Sequence, residues 1–203
     1  INYYIHKFLY KMKVPQLRKK SEIKSCHNVT WEDNYSWIHQ KDILEVLKDK
    51  NKLNPEVREY LEQENSFAEF HLKDTKNLQK KLFNEIKGRI KLDDESLPYI
   101  DHTYEYWTKT TAKGNYSIKL RKKINTNLVE EIWNGDKEKE KLGVEYFGVG
   151  DLEVSHNDRF LAYSLDIKGS EYYTIFVREI VSNKIITKEI SDTSGSVTFS
   201  LDD

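Results

Sequence analysis

The sequence predicts an α+β chain, in which a helical N-terminal part precedes an antiparallel all-β part. Between residues 55 and 90, apolar residues recur at the spacing of amphipathic helices. After Pro98, apolar residues alternate with polar ones instead, and short turn segments separate the alternating runs. We therefore expect three regions, which are an N-terminal extension over residues 1–26, a helical segment over 27–96 and a β part over 97–203.

Composition limits the classes of protein to which this sequence can belong. The 203 residues carry 33 Lys and Arg against 34 Asp and Glu, so a net charge of -1 offers no global attraction to nucleic acid or anionic membranes. The apolar runs are all shorter than the roughly 20 residues of a membrane helix. A single cysteine, Cys26, excludes an intrachain disulfide and favours a cytoplasmic location. Because Met12 is the only methionine, we expect residues 1–11 to lie upstream of the functional start.

The N-terminal helices are predicted by their ends as well as by their periodicity. Asn54 can cap a helix, Pro55 suits the first helical position, and Glu56 favours the positive end of the helix dipole. A shorter helix is predicted over residues 42–49. The apolar residues at helical spacing are Val57, Tyr60, Leu61, Phe67 and Phe70, followed by Leu78, Leu82, Phe83 and Ile86 before Gly88.

The β part contains several predicted strands with turn signals between them. The alternating residues are Tyr104, Tyr106 and Thr108, then Tyr116, Ile118 and Leu120, and further strands are expected over 152–154, 160–163, 173–177 and 185–190. Gly, Asn, Asp and Ser form turn signals at 113–115, 156–158, 168–170 and 182–183. Since the pattern shows no helix-length periodic segment between these strands, we expect an uninterrupted antiparallel arrangement.

The strands recur at a spacing typical of a propeller blade. Predicted strands begin at Leu152 and at Val197, which are 45 positions apart, and one blade takes roughly 40–50 residues. A blade is a four-stranded antiparallel sheet that cannot bury its faces alone, and a closed propeller needs at least four blades. We therefore expect residues 97–203 to hold about two blades and the first strand of a third, which makes an incomplete propeller.

Several segments together resemble one family. These segments are His27 with Asp33-Asn34-Tyr35-Ser36-Trp37, Tyr60-Leu61-Glu62-Gln63-Glu64-Asn65, residues 82–90 with Ser96-Leu97-Pro98-Tyr99, and residues 153–164 with Asp166, Gly169, Glu171 and Tyr172. Their order over residues 27–203 resembles the prolyl oligopeptidase family of serine peptidases, and its oligopeptidase B branch in particular. His156-Asn157 departs from the family, which often has Pro there, and the departure affects only a turn.

The resemblance implies an architecture of N-terminal helices, a seven-bladed propeller and a C-terminal α/β-hydrolase domain. It implies hydrolysis of short peptides, after Arg or Lys in the oligopeptidase B branch, with the propeller restricting access by size. The nucleophilic Ser and its Asp and His partners all belong to the hydrolase domain of the family. We therefore expect this chain to lack the catalytic residues and to be inactive alone, with oligopeptide substrates and the missing hydrolase domain as its partners.

The sequence itself contains no substitute for that catalytic machinery. A hydrolase nucleophile sits in a Gly-x-Ser-x-Gly elbow, and no such pentapeptide occurs here. The nearest segment, Ser194-Gly195-Ser196, lacks the framing glycines and is predicted to be a turn. Cys26-His27 could suggest a thiolate pair, but adjacent side chains rarely point at each other, so a structural interpretation is preferred.

Three further motifs have a functional and a plainer interpretation. Asp93-Asp94-Glu95 could bind a cation loosely, but it lacks EF-hand spacing and is typical of a solvated loop. Gly148-Val149-Gly150 could contact phosphate, but the pattern predicts no helix after it. Residues 119–123 could bind nucleic acid, although a strand with outward lysines is the preferred interpretation. The six histidines show no zinc spacing, so we expect no cofactor and no metal.

Two other functions stay open at this point. The first is a noncatalytic, propeller-like binding module from a shortened gene, and the second is an enzyme with an unrecognised site. A binding module predicts a stable complex with a specific partner, whereas the peptidase interpretation predicts activity only with the downstream sequence. An incomplete propeller also exposes a sheet edge, so we expect self-association through residues 197–201.

Overall fold

A computed structural model describes residues 12–202. The chain forms two compact units that meet in sequence between Arg89 and Ile90. The expectation for residues 1–11 lies outside the described residues. The predicted division at residues 26 and 96 stays a prediction, and the two units are described separately below.

The first unit begins with a β-hairpin that the sequence pattern did not predict. Strand β1 (Glu22–Cys26) pairs antiparallel with β2 (Val29–Asp33), with Cys26 opposite Val29. The two turn residues, His27 and Asn28, have φ angles of 48° and 64°. Left-handed φ at both positions matches the twist of the strands and makes a tight two-residue connection.

The predicted helices follow the hairpin. They are α1 (Ile43–Lys48), α2 (Pro55–Leu72) and α3 (Lys76–Gly88), with a 3-10 turn at Lys73–Thr75 between the last two. The Asn54 side chain accepts a hydrogen bond from the Glu56 amide at 2.9 Å, which confirms the predicted cap. Val46 in α1 and Val57 in α2 are buried, whereas Leu78, Leu82, Phe83 and Ile86 on α3 are exposed in the described chain.

The second unit contains a first sheet of five antiparallel strands. They are β3 (Asp94–Glu95), β4 (Tyr99–Asp101), β5 (Tyr104–Thr110), β6 (Ile118–Lys123) and β7 (Val129–Asn134). Strands β3 and β4 both pair with the same edge of β5, so the sheet is in effect a four-position meander. The predicted alternation at Tyr104, Tyr106 and Thr108 is confirmed by β5.

A second sheet follows as a simple meander of four strands. They are β8 (Gly148–Val154), β9 (Phe160–Asp166), β10 (Tyr173–Glu179) and β11 (Ile190–Thr193), and each pairs with its sequence neighbour. Strand β9 is buried on both faces over most of its length. Two successive four-position antiparallel meanders confirm the predicted fold class, an α+β chain that ends in an open rather than a closed β arrangement.

A helix interrupts the β part, so the expectation of an uninterrupted β arrangement is wrong. Helix α4 (Gly135–Leu142) connects β7 to β8. The Asn134 side chain accepts from the Lys137 amide at 3.2 Å, and Gly143 ends the helix with a φ of 63°. The sequence GDKEKEKL has almost no apolar periodicity, because local capping and a charge order suited to the helix dipole specify this helix instead.

Two other predicted strands are also wrong. Residues 185–190 contain one isolated bridge, between Ile185 and Arg178, and the strand begins only at Ile190. The ladder ends because the Val177 amide donates to the Thr187 hydroxyl, which displaces a backbone partner. Val197 begins no strand in the described chain, since its amide donates to the Asp151 carboxylate at 3.2 Å. The 45-residue spacing to Leu152 is therefore not the observed repeat.

The core of the second unit lies between its two sheets. Trp133 from β7 and Phe147, which precedes β8, are buried together with three side chains from β9. The β9 members are Leu161, Tyr163 and Leu165. Because these residues come from both sheets, each sheet covers an apolar face of the other, as two adjacent blades would.

Candidate functional site at the seam between the two sheets

The contact surface between the first and second sheets, called the seam below, has an aromatic centre. The rings of Trp133 and Tyr163 have centroids 4.9 Å apart, and Tyr163 stacks on Phe176 at 5.3 Å. Tyr116 meets Phe147 edge-on at 5.0 Å. These distances are typical of packed aromatic pairs, so the centre of the seam is filled by side chains.

One turn residue of the second sheet receives three hydrogen bonds from the first. Asp158, in the turn between β8 and β9, accepts from the Thr103 hydroxyl at 2.6 Å and from the Tyr106 hydroxyl at 2.8 Å. Arg121 Nη1 donates to the Asp158 carbonyl oxygen at 2.6 Å. Asp158 has a φ of 60°, a conformation that Asp tolerates better than most residues. Asp158 and its three donors are called the Asp158 cluster.

The donors of the Asp158 cluster are themselves held in place. Arg121 is 2% exposed, its Nε donates to Glu130 at 2.7 Å, and its guanidinium lies 4.1 Å from the Tyr104 ring centroid. Burial and the hydrogen bond to Asp158 raise the pKa of Tyr106 well above its usual value, so this hydroxyl keeps its proton at physiological pH. The cluster is therefore a fixed set of donors at neutral pH.

A second residue crosses the seam further along the same sheets. Arg178 on β10 is 5% exposed and donates to the Glu138 carboxylate at 2.5 Å and to the Ile132 carbonyl at 2.7 Å. Its guanidinium also lies 5.2 Å from the Trp133 ring centroid and 5.3 Å from that of Tyr163. Arg178 with Glu138 and the Ile132 carbonyl is called the Arg178 cluster. Its acidic member comes from α4.

A third polar contact joins the sheets through a lysine. Lys119 Nζ on β6 donates to the Leu152 carbonyl of β8 at 3.3 Å. Burial lowers the pKa of this amine, although the carboxylates of Glu153, Asp151 and Asp101 favour its charge. A charged amine here costs part of its hydration, so the contact positions the sheets more than it stabilises them.

Other buried polar groups act within the second sheet alone. The Asp166 carboxylate is 2% exposed and accepts from the amides of Lys168, Gly169 and Glu171 at 2.8–3.0 Å. Asp166 thus organises the turn between β9 and β10. Ser164, fully buried, accepts from the Asp151 amide and donates to the Gly195 carbonyl, so residues after β11 lie on the far face of this sheet.

The residues singled out in the sequence are mostly placed apart from one another. Cys26 is exposed at the end of β1. Each residue of the acidic run at 93–95 has a nearby partner. Asp93 accepts a hydrogen bond from the Ala112 amide, Asp94 forms an ion pair with Lys91, and Glu95 forms one with Lys109. Within residues 12–202, no three His, Cys, Asp or Glu side chains are grouped as metal ligands would be. The absence of catalytic and cofactor residues stays a prediction.

The glycine and lysine motifs lie in the sheets. Gly148-Val149-Gly150 is part of β8, and a Cβ at Gly150 would collide with the Ser164 hydroxyl, so close packing explains this glycine. In the basic run on β6, Lys122 pairs with Glu105 at 2.9 Å, while Lys119 and Arg121 face the seam. Gly195 has a φ of 93°, as the predicted turn at 194–196 requires.

A small cavity opens beside the Asp158 cluster. Its volume is about 270 Å³, below the roughly 300–1,000 Å³ of ordinary ligand pockets. Its charged lining includes Arg121, Arg159 and Glu179, and the last two form an ion pair at 3.3 Å. Lys123 and Asp158 also line the cavity, so three cations face two carboxylates there, and the small volume is what argues against a ligand site. Around the Asp158 cluster, the seam is therefore a structural joint.

Successive four-position meanders that bury an aromatic face against each other define a protein of the β-propeller class, preceded here by helices. Residues 15–202 match the family model described as the N-terminal β-propeller domain of prolyl oligopeptidase. Since the match covers most of the sequence, the chain belongs to this family. The resemblance inferred from the sequence motifs is thereby confirmed.

Curated relatives are peptidases by name. Dipeptidyl aminopeptidase BI of Pseudoxanthomonas mexicana is 27% identical over 93% of this chain, and Protease 2 of Moraxella lacunata is 20% identical over 88%. The match spans about a quarter of their lengths, 27% and 25% respectively. Because so little of each relative is matched, these names do not establish the activity of a whole protein.

Solved structures show the same fold. Oligopeptidase B from Leishmania major has a TM-score of 0.74 at 22% identity, with 91% of this chain and 27% of that chain covered. Oligopeptidase B from Trypanosoma brucei has a TM-score of 0.72 at 21% identity, with 92% and 27% covered. Among the described residues, no helix is both long and apolar enough to span a bilayer.

Proposed function

We propose that this chain is the helical and first propeller part of a serine oligopeptidase that hydrolyses short peptides. The observation that carries the proposal is the family match over residues 15–202, together with two adjacent blade-like sheets. The named relatives that support it are peptidases. The reaction itself belongs to a hydrolase domain that the family resemblance implies.

In this proposal the two sheets contribute to a wall that restricts access by size. Folded proteins are excluded and oligopeptides are admitted, so residues 97–203 act on substrate choice and not on bond cleavage. The exposed apolar side chains of α3, including Leu82 and Phe83, are suited to pack against the hydrolase domain. The isolated chain is expected to be inactive, to reside in the cytoplasm with its parent, and to self-associate through an open sheet edge. Because residues 197–201 form no strand, the edge strand β11 replaces them in this proposal.

Cleavage after Arg or Lys is the proposed preference. Its support is the resemblance to the oligopeptidase B branch and the similarity in fold to two oligopeptidases B. The name of one relative, a dipeptidyl aminopeptidase, indicates a second mode in which dipeptides leave the N-terminus. The two modes differ in whether a blocked N-terminus is tolerated, so one substrate pair separates them.

The test expresses the 203-residue chain and the full-length product of its gene side by side. Each is assayed with N-blocked peptides that carry a fluorogenic group after Arg, Lys or Pro, and with the free dipeptide equivalents. We expect only the full-length product to cleave, with Arg and Lys preferred. An organophosphate that phosphorylates serine nucleophiles is expected to abolish the signal.

Three results would change the proposal. Cleavage of only the unblocked substrates would replace the endopeptidase by a dipeptidyl aminopeptidase. A preference for Pro would remove the Arg and Lys assignment. Absence of all activity, with a stop codon directly after Asp203, would refute the peptidase function and favour the binding module.

A further inference from the structure

Asp158 is inserted into a polar socket of the first sheet, and Arg178 into a polar socket formed by β7 and helix α4. Asp158 receives the Thr103, Tyr106 and Arg121 donors, and Arg178 donates to Glu138 and to the Ile132 carbonyl. The socket around Asp158 contains Arg121, which is 2% exposed, and Tyr106, which is 1% exposed, and in the other socket Arg178 itself is 5% exposed. The seam is thus joined by directed bonds beside its aromatic centre.

The hydrogen bonds of the two clusters constrain the relative position of the sheets more strictly than the aromatic centre does. Apolar packing is non-directional, so it tolerates a small shift between two faces better than a hydrogen bond does. Buried hydrogen bonds to charged groups lose their partners as soon as the sheets shift or part, and an unpartnered buried group is costly. Asp158 and Arg178 therefore fix both the position and the separation of the sheets.

The geometry also sets what an opening would require. An extended peptide that lies between two sheets adds a further layer, and packed layers lie roughly 10 Å apart face to face. The ring centroids of Trp133 and Tyr163 are 4.9 Å apart, so the closed seam has no space for such a chain. Passage between the sheets requires their separation by about one further layer, roughly 10 Å, which breaks both clusters.

We propose that Asp158 and Arg178 are positioning residues that hold the seam closed and thereby maintain the length limit on substrates. The second part of this inference rests on the proposed peptidase function. The first part concerns the 203-residue chain alone. Two experiments separate them.

The first experiment measures amide hydrogen exchange in the 203-residue chain. Asp158→Ala and Arg178→Met are expected to raise exchange at least about tenfold in β7 and β9, which face each other across the seam. Asp166→Ala is the matched control, because it removes a buried carboxylate of the same sheet whose bonds remain within its own turn. Its added exchange is expected near residues 167–172. Unchanged exchange at the seam in the first two variants would overturn the inference.

The second experiment uses the full-length product with two substrates, a quenched hexapeptide with a central Arg and a reduced, alkylated protein. The ratio of kcat/KM for the long over the short substrate is expected to rise about tenfold in Asp158→Ala and Arg178→Met. Asp158→Asn keeps one acceptor oxygen and is expected to restore most of the limit. A purely structural role lowers the active fraction for both substrates equally and leaves the ratio unchanged.

Each remaining result has a fixed meaning. An unchanged ratio with increased seam exchange would refute the link to substrate length and retain the seam function. An equal rise in Asp166→Ala would show general loosening and overturn the assignment to these two residues. A wild-type product that fails to cleave the hexapeptide would refute the proposed function, and the exchange experiment would still decide the seam.

Discussion

The Arg178 cluster allows a quantitative test on the isolated chain. Arg178→Ala removes one partner of an ion pair whose side chains are 6% and 14% exposed, and leaves the Glu138 carboxylate and the Ile132 carbonyl without that donor. Loss of one partner from a buried pair costs about 3–5 kcal/mol. Because Glu138 retains some contact with water, we expect about 3 kcal/mol, a large part of a typical domain's stability.

The assay is urea denaturation followed by circular dichroism and tryptophan fluorescence, in which the midpoint and the slope together give the free energy of unfolding. Lys137→Ala is the matched control on the same helix. Lys137 pairs with Glu131 at 2.7 Å, but the two side chains are 70% and 37% exposed, so the expected cost is about 0.5 kcal/mol or less. In a Glu138→Gln background, the cost of Arg178→Ala is expected to fall by about 1 kcal/mol or more.

Two results would refute this reasoning. A cost for Arg178→Ala no greater than that for Lys137→Ala would mean that the buried geometry carries no net free energy. An unchanged cost in the Glu138→Gln background would mean that the destabilisation arises from packing over the Trp133 ring and not from the ion pair.

Three further variants test other parts of the second unit. Tyr106→Phe is expected to cost about 1 kcal/mol at pH 8 through loss of the bond to Asp158. The pKa of Tyr106 is raised in the folded state, so above about pH 10 the unfolded chain loses this proton while the folded chain keeps it. The free energy of unfolding of the wild type therefore falls by up to roughly 1.4 kcal/mol per pH unit there. Tyr106→Phe lacks this contribution in alkaline denaturation. Gly150→Ala is expected to lower the free energy of unfolding in urea by about 1–3 kcal/mol, since its Cβ would meet Ser164 and lie 2.9 Å from Tyr173. An unchanged free energy would show that β8 moves freely. Lys119→Met is expected to be as stable as the wild type at pH 7, or more stable by up to about 1 kcal/mol. The difference is expected to shrink towards pH 10, because burial lowers the pKa of Lys119. A clear loss of stability would assign net stabilisation to its bond with Leu152.

Much of the fold was accessible from sequence because its strongest signals are local. The cap at Asn54 and the alternation at Tyr104 to Thr108 depend on neighbours a few residues away, and both are present in the structure. The hairpin around His27 was missed because its strands are short, exposed and without a Gly-containing turn signal. Helix α4 was missed because hydrophobic periodicity was the criterion, while Asn134 and Gly143 specify its ends.

The seam was not predictable in the same way. Asp158 was recognised only as a turn residue, and its donors lie 37–55 positions earlier in the sequence. Arg178 pairs with Glu138 at a separation of 40 positions, on a helix that the pattern did not reveal. Such contacts depend on the packing of one sheet against another, so a single sequence indicates the residue types and not their pairing.

The order of strands has a consequence for how the protein is made. Every strand of both sheets pairs with a near neighbour along the chain, so each sheet can be completed before the next one is synthesised. The first sheet is whole once Asn134 has left the ribosome, and Asp158 is made 24 residues after it (158 − 134). Arg178 is made 40 residues after its partner Glu138 on α4. During that interval Trp133 lacks the cover that β9 later provides. A pause in translation after β7 would therefore prolong exposure of an apolar surface, whereas rapid synthesis through β10 would shorten it.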